Sequence, residues 1–204
     1  MPKTLTKKEV KELMEIPCKS RGEHISLITE ETKKRGGEEA VKDLEKKLND
    51  LGIEIELDKV EALEWYPVGI RTVFLLLFKE KFNLTDKDIF NMGVKAVGAS
   101  FIVKFLFKYF ISRKVAFKNI PKYWVKHYTC GKLEPAEFSE KEGEESYYIM
   151  RLKDFKIHPI LCTFLSGYFL QISKLLGGKK ASIEETKCKF SGDPYHEFKV
   201  TWKD

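Results

Sequence analysis

Cys162, Glu185, Cys188 and His196 fall in the last third of this 204-residue chain, and they constrain its fold more than any other feature. Residues 185–196 read E-T-K-C-K-F-S-G-D-P-Y-H, which spaces the last three as E-x2-C-x7-H. Cysteine and histidine are the preferred ligands of zinc, and a carboxylate is an accepted fourth. If the four share one ion, the segment carrying Cys162 must pack against the end of the final hairpin. Aromatic and aliphatic residues are concentrated in the middle and C-terminal segments, so such a site would border a large apolar interior.

The local pattern makes this arrangement reachable. Ser191-Gly192-Asp193-Pro194 has turn chemistry, and a three-residue loop centred on Gly192 would set Cys188 across from His196. Directly opposed side chains have Cβ atoms about 4.5–5.5 Å apart, close enough for two ligands to meet one ion. Pro159 opens a helix whose first turn holds Cys162. Glu185 is three residues from Cys188, so on a regular strand the two would face opposite ways. Glu185 can ligate only if a bulge turns it inward. Set against the metal reading is an ordinary one: buried cysteines act as small hydrophobes, and a histidine near a turn sits at the surface.

Two segments carry a family resemblance: H-P-I-L-C-T-F-L-S-G-Y-F at 158–169 and E-E-T-K-C-K-F-S-G-D-P-Y-H at 184–196. Together they resemble the signature half of the 4-vinyl reductase domain family. The likeness is confined to about Lys122 to Trp202. That family is similar in fold to the ligand-binding domains of nitric-oxide-signalling proteins and to subunits of the Golgi transport-particle tether. In its phenol-sensing relatives, zinc is held by a helix cysteine and a Glu-x2-Cys-x7-Cys hairpin. The resemblance therefore implies zinc at Cys162, Glu185, Cys188 and His196, with histidine in place of the usual last cysteine. Four protein ligands would leave no open position, so such a zinc would be structural. Should Glu185 point away, a zinc-bound water would take its place.

The composition belongs to a water-borne globular protein: 43% hydrophobic and 33% charged residues. Abundant Lys and Glu resemble a thermophile surface. The formal net charge of +6 comes from cations spread along the chain, not massed, which argues against nucleic-acid binding. The charged start, MPKTLTKKEVKELMEI, is unlike a signal peptide, and no apolar run is free enough of polar residues to span a bilayer. A cytoplasmic location follows as the expectation, with reduced thiols that favour metal over disulfide.

The expected fold class is α+β, an antiparallel or mixed sheet packed against a helical layer. Residues 1–60 read as an N-terminal α/β extension, and 61–204 as the zinc-bearing ligand-binding domain. In the extension, Thr6 and Glu9 form a capping box, Gly36-Gly37 opens a second helix, and Ile53, Ile55 and Leu57 alternate like a strand. The middle is helical, with Phe101, Ile102, Phe105, Phe107, Tyr109 and Phe110 on one helix. Leu133–Phe138 and Ser146–Leu152 form a hairpin across EKEGEE. On the last strand His196, Phe198, Val200 and Trp202 share one face.

Functionally, the sequence points first to a binding module for a small apolar or aromatic ligand. Trp124, His127 and Tyr128 are the polar-tipped candidates for contacting it. A second reading, drawn from the resemblance, is a component of a reductase acting on a tetrapyrrole vinyl group. The chain lacks a GxGxxG fingerprint and closely grouped cluster-binding cysteines, which weighs against redox catalysis of its own. A third is a homodimeric scaffold joined through helical faces, as in the tether subunits.

Overall fold

The computed structural model describes residues 5–107, 112–141, 144–178 and 180–203, with the backbone alone at 105–107. The chain divides into two compact units, one ending at Thr85 and one beginning at Asp86. The pattern is α+β as expected.

The first unit opens with α1 (Lys7–Met14), whose N-terminus is the capping box read from the sequence: Glu9 N donates to Thr6 Oγ1 at 3.2 Å, and Thr6 N donates to Glu9 Oε2 at 2.9 Å. Two short strands, β1 (Lys19–Arg21) and β2 (Trp65–Pro67), pair antiparallel. Between them runs α2 (Glu23–Asp50), broken at Gly37, which takes φ 67° and ψ −169°. That conformation suits glycine, so the paired glycines end one helical run and open the next. α3 (Val68–Lys81) follows, with Val73, Phe74, Leu75 and Phe78 fully buried.

The alternation at Ile53, Ile55 and Leu57 does not make a strand. Residues 53–56 are irregular, and Leu57–Lys59 is a 3-10 turn. Ile53 and Leu57 are both buried at 2% exposure, and Leu57 N donates to Glu45 Oε2 at 2.9 Å, so the segment packs on α2 by side chains. An alternating pattern needs a partner strand to become a ladder, and here the partner is a helix.

The second unit contains α4 (Asp86–Ala99), α5 (Phe101–Phe107), α6 (Arg113–Lys118), α7 (Ile120–His127) and α8 (Pro159–Leu175). The expected interruption at Gly98 to Ser100 separates α4 from α5. The ring positions Tyr109 and Phe110, and the side chains of Phe105 and Phe107, lie outside the described residues. Four strands, β3 (Lys132–Ser139), β4 (Ser146–Lys153), β5 (Ser182–Lys187) and β6 (His196–Trp202), form one antiparallel sheet in the order β3-β4-β6-β5.

α8 is the hub of this unit. It is apolar nearly all round, and it packs on α4 on one side and on the sheet on the other. Its crossing with α4 is reciprocal and very close. A Cβ on Gly93 of α4 would come within 2.0 Å of the Phe164 carbonyl oxygen, and a Cβ on Gly167 of α8 within 1.9 Å of the Phe90 carbonyl oxygen. Against the sheet, Phe169 meets Phe198 edge to face at 5.2 Å between ring centres. α8 ends where Gly177, at φ 104°, lets Gly178 N donate back to Ser173 O at 3.1 Å.

Candidate metal centre

Local rules deliver each of the four candidate ligands. His158 caps α8, accepting from Ile160 N through Nδ1 at 3.1 Å, and Pro159 occupies the first helical position. Cys162 therefore stands in the first turn of α8, 6% exposed. His196 begins β6 and is 1% exposed. On β5, Glu185 pairs with Phe198 while Lys187 pairs with Glu197, so Thr186 is an extra residue in a β-bulge. The bulge converts the odd separation of Glu185 and Cys188 into an even one. Glu185 thereby shares the face of Phe198 and His196, and Cys188 follows onto the same face.

The loop closes as a 3-10 turn at Lys189–Ser191, with Gly192 at φ 99°. Asp193 fixes its geometry by accepting from Cys188 N through Oδ2 at 2.9 Å. One donor atom from each of Cys162, Glu185, Cys188 and His196 lies within 4.8 Å of the others. Helix and hairpin are thus brought together at these four positions.

The hydrogen positions at His196 follow from its neighbours. Nε2 is 2.8 Å from the Phe155 carbonyl oxygen, which can only accept, so Nε2 carries the hydrogen. In the neutral ring Nδ1 then presents a lone pair, at 2.8 Å from Glu185 Oε1 and 3.6 Å from Cys162 Sγ. A lone pair and a carboxylate oxygen at that distance repel unless a positive centre, a proton or a metal ion, lies between them. Burial, followed by the charges of Glu185 and Cys188, pushes the Cys162 thiol far above its ordinary value. A cation among the four would reverse that tendency, because a metal-bound thiol is deprotonated.

The remaining candidates sit elsewhere in the second unit. Trp124 Nε1 donates to the Cys130 carbonyl at 2.8 Å, and its ring stacks on Tyr128 at 4.4 Å. Phe155 meets both rings edge on. His127 is buried, with Nε2 3.2 Å from the Tyr168 hydroxyl. The sequence did not disclose the Phe155 carbonyl or the bulge at Thr186. A backbone acceptor leaves no side-chain signature, and a bulge shows only once strands are paired.

Solved structures with this architecture exist. An H-NOX protein from S. oneidensis in the Fe(II)NO ligation state aligns over 90% of this chain and 99% of its own, with TM-score 0.69 and 10% identity. An oxygen-binding H-NOX domain related to soluble guanylate cyclases aligns over 89% and 91%, with TM-score 0.57 and 14% identity. A further H-NOX structure, from work on heme distortion in that family, aligns over 90% and 94%, with TM-score 0.58 and 14% identity. The fold is that of the H-NOX domains. No family model matches the chain, and no curated protein matches it. The resemblance to the 4-vinyl reductase domain family therefore finds no support, while the similarity to nitric-oxide-signalling domains holds at the level of fold.

The comparison also corrects the expectation of zinc as cofactor: the relatives are described by Fe(II) states and heme. Heme iron takes an axial imidazole, thiolate, thioether or phenolate, and the described histidines of the second unit are placed as follows. His196 has both ring nitrogens engaged, His158 caps α8, and His127 Nε2 faces Tyr168. The α4–α8 crossing is closed on Gly93 and Gly167, so a macrocycle has no room between those two helices at that point. Among the described residues, no helix is long and apolar enough to cross a membrane.

Proposed function

We propose that this chain is a small-molecule sensor or binding module whose second unit is stapled by one thiol-preferring transition-metal ion at Cys162, Glu185, Cys188 and His196. The observation that carries the reading is the convergence of two sulfurs, an imidazole nitrogen and a carboxylate on one point at the junction of α8, β5 and β6. Donor sets of this kind suit a borderline-soft ion in a closed site. With four protein ligands the ion is structural, tying the start of the central helix to the closing hairpin. The ligand would be small and apolar or aromatic, in keeping with the ring-rich interior and with a fold whose other members are described with nitric oxide and oxygen.

Two measurements test this together. Cobalt(II) added to metal-stripped full-length protein should produce thiolate-to-cobalt absorption in the near ultraviolet at one equivalent. Native mass spectrometry should show a small apolar molecule retained by the purified protein. No cobalt band would end the metal half of the proposal. A strong Soret band in the purified protein would replace both halves with a heme protein.

A further inference from the structure

The basic residues of this chain are spread along it, but the acidic ones are not. Residues 89–133 hold nine lysines and arginines and no aspartate or glutamate. At the chain's own frequency of 31 acidic residues in 204, a stretch of that length would hold about seven. The other 28 basic residues are outnumbered by the 31 acidic ones, so this stretch alone makes the chain net positive.

The helices α5, α6 and α7 lie within it. α7 contacts both α5 and α6, and α6 and α7 both pack on β3, so the three short helices form one layer. Each turns the same pattern outward. On α5, Ile102 and Val103 are buried, while Phe101 is 61% exposed with Lys104 Nζ 5.7 Å from its ring centre. On α6, Ala116 and Phe117 are buried, and Val115 is 37% exposed between the exposed Lys114 and Lys118. On α7, Trp124 and His127 are buried, and Val125 is 58% exposed between Lys122 and Lys126, one turn apart. Five large hydrophobic side chains are exposed among the described residues, and three of them are these. A fourth, Leu175, precedes Leu176, whose carbonyl accepts from Arg113 Nε of α6 at 3.0 Å. Lys104, Lys114, Lys118 and Lys122 have no ion pair among the described residues. Arg113 is neutralised by Glu140 at 2.8 Å.

We propose that the outer face of α5, α6 and α7 docks on an anionic phospholipid bilayer, with the lysines at the phosphate level and Phe101, Val115 and Val125 entering the boundary of the acyl chains. Clustered exposed apolar side chains mark an interaction surface, and the unpaired lysines around them call for a negative one. A bilayer supplies both at once and is flat enough to meet three helices presenting the same pattern. A nucleic acid is the poorer fit. Its phosphates would satisfy the lysines, but valines cannot stack on bases, and eight of the nine cations are lysine rather than the planar, forked arginine. The association is peripheral, since no helix among the described residues is long and apolar enough to cross a membrane. It is independent of the metal centre, which uses none of these residues.

The test is cosedimentation of the full-length protein with vesicles of phosphatidylcholine alone and of phosphatidylcholine with 30% phosphatidylserine. Binding should require the anionic lipid and fall steeply as salt is raised, because exposed charges are screened. Lys118→Gln with Lys122→Gln should weaken it about 25-fold, since each lysine near an anionic surface contributes about fivefold. Phe101→Ser should weaken it about tenfold through lost apolar burial. All three positions are exposed, so the variants should fold as wild type does, which circular dichroism checks. Lys8→Gln with Lys11→Gln, on α1, makes the same change in net charge and should leave binding unaltered. No binding to the anionic vesicles, or equal binding to both kinds, would overturn the proposal. So would an equal loss in the α1 control, which would show the effect to be one of net charge alone. Salt-sensitive binding to polyglutamate or to a single-stranded oligonucleotide, with the vesicles ignored, would overturn it in favour of an acidic macromolecule.

Discussion

His196 Nε2 lies 2.8 Å from the carbonyl oxygen of Phe155, and this one contact decides which nitrogen of the ring faces the two thiols and Glu185. In the metal site proposed above it would be the outer-sphere hydrogen bond that orients the imidazole. If the site holds an ion, His196→Ala should abolish cobalt absorption. His196→Cys should retain it with a stronger thiolate band, because a third sulfur replaces nitrogen at the same position.

The Asp193 carboxylate holds the backbone N–H of Cys188 at 2.9 Å and so sets the angle at which that thiol enters the site. Asp193→Ala removes no ligand. Its expected effect is the one typical of outer-sphere partners, about a 10- to 100-fold loss of cobalt affinity with the absorption band kept in shape. An unchanged affinity would show that the turn holds Cys188 in place without it.

The α4–α8 crossing predicts a large cost for a very small change. Gly93→Ala or Gly167→Ala would put a methyl group within about 2 Å of a backbone carbonyl, which cannot swing aside as a flexible side chain would. Each substitution should destabilise the second unit by about 2–3 kcal/mol, near the top of the overpacking range. Chemical denaturation measures this. Gly98→Ala, whose added Cβ meets nothing within 4 Å, serves as the control and should be neutral or slightly stabilising.

Acid sensitivity is expected at Glu197. Burial by itself would raise its carboxyl group. The Arg151 guanidinium at 2.7 Å, the Thr186 hydroxyl at 3.0 Å and the Lys187 charge outweigh that and hold it below its ordinary value. A carboxyl whose folded pKa is depressed contributes stability above its unfolded pKa, about 4.3, and loses it as pH falls through the lower folded value. Denaturation midpoints should therefore drop between pH 5 and the strongly acid range by about 1 kcal/mol or less, since Arg151 is partly exposed. Glu197→Gln should be less stable than wild type at pH 7 and should show a flatter acid limb.

Much of this was legible in sequence because it depends on short-range rules. The capping box of Thr6 and Glu9, the break at Gly37, the Pro159 start of α8, and the inward face of β6 all follow from local stereochemistry. The candidate site was legible in its residues and only conditionally in its geometry, since Glu185 needed a bulge that no spacing rule supplies. The strand expected at Ile53 to Leu57 failed for the same reason in reverse. Its alternation was real, but the surface it packs on is helix α2.

Residue types and their periods determined which segments are helix or strand and which side chains could meet an ion. These properties are set within a turn or two of chain, where backbone sterics and hydrogen bonding are local. Tertiary structure decided the rest: that Thr186 is bulged out, that Gly93 and Gly167 bring two helices into backbone contact, and that the Trp202 N–H is buried without an acceptor among the described residues. Each of those depends on a partner far away in the chain, and only packing selects the partner.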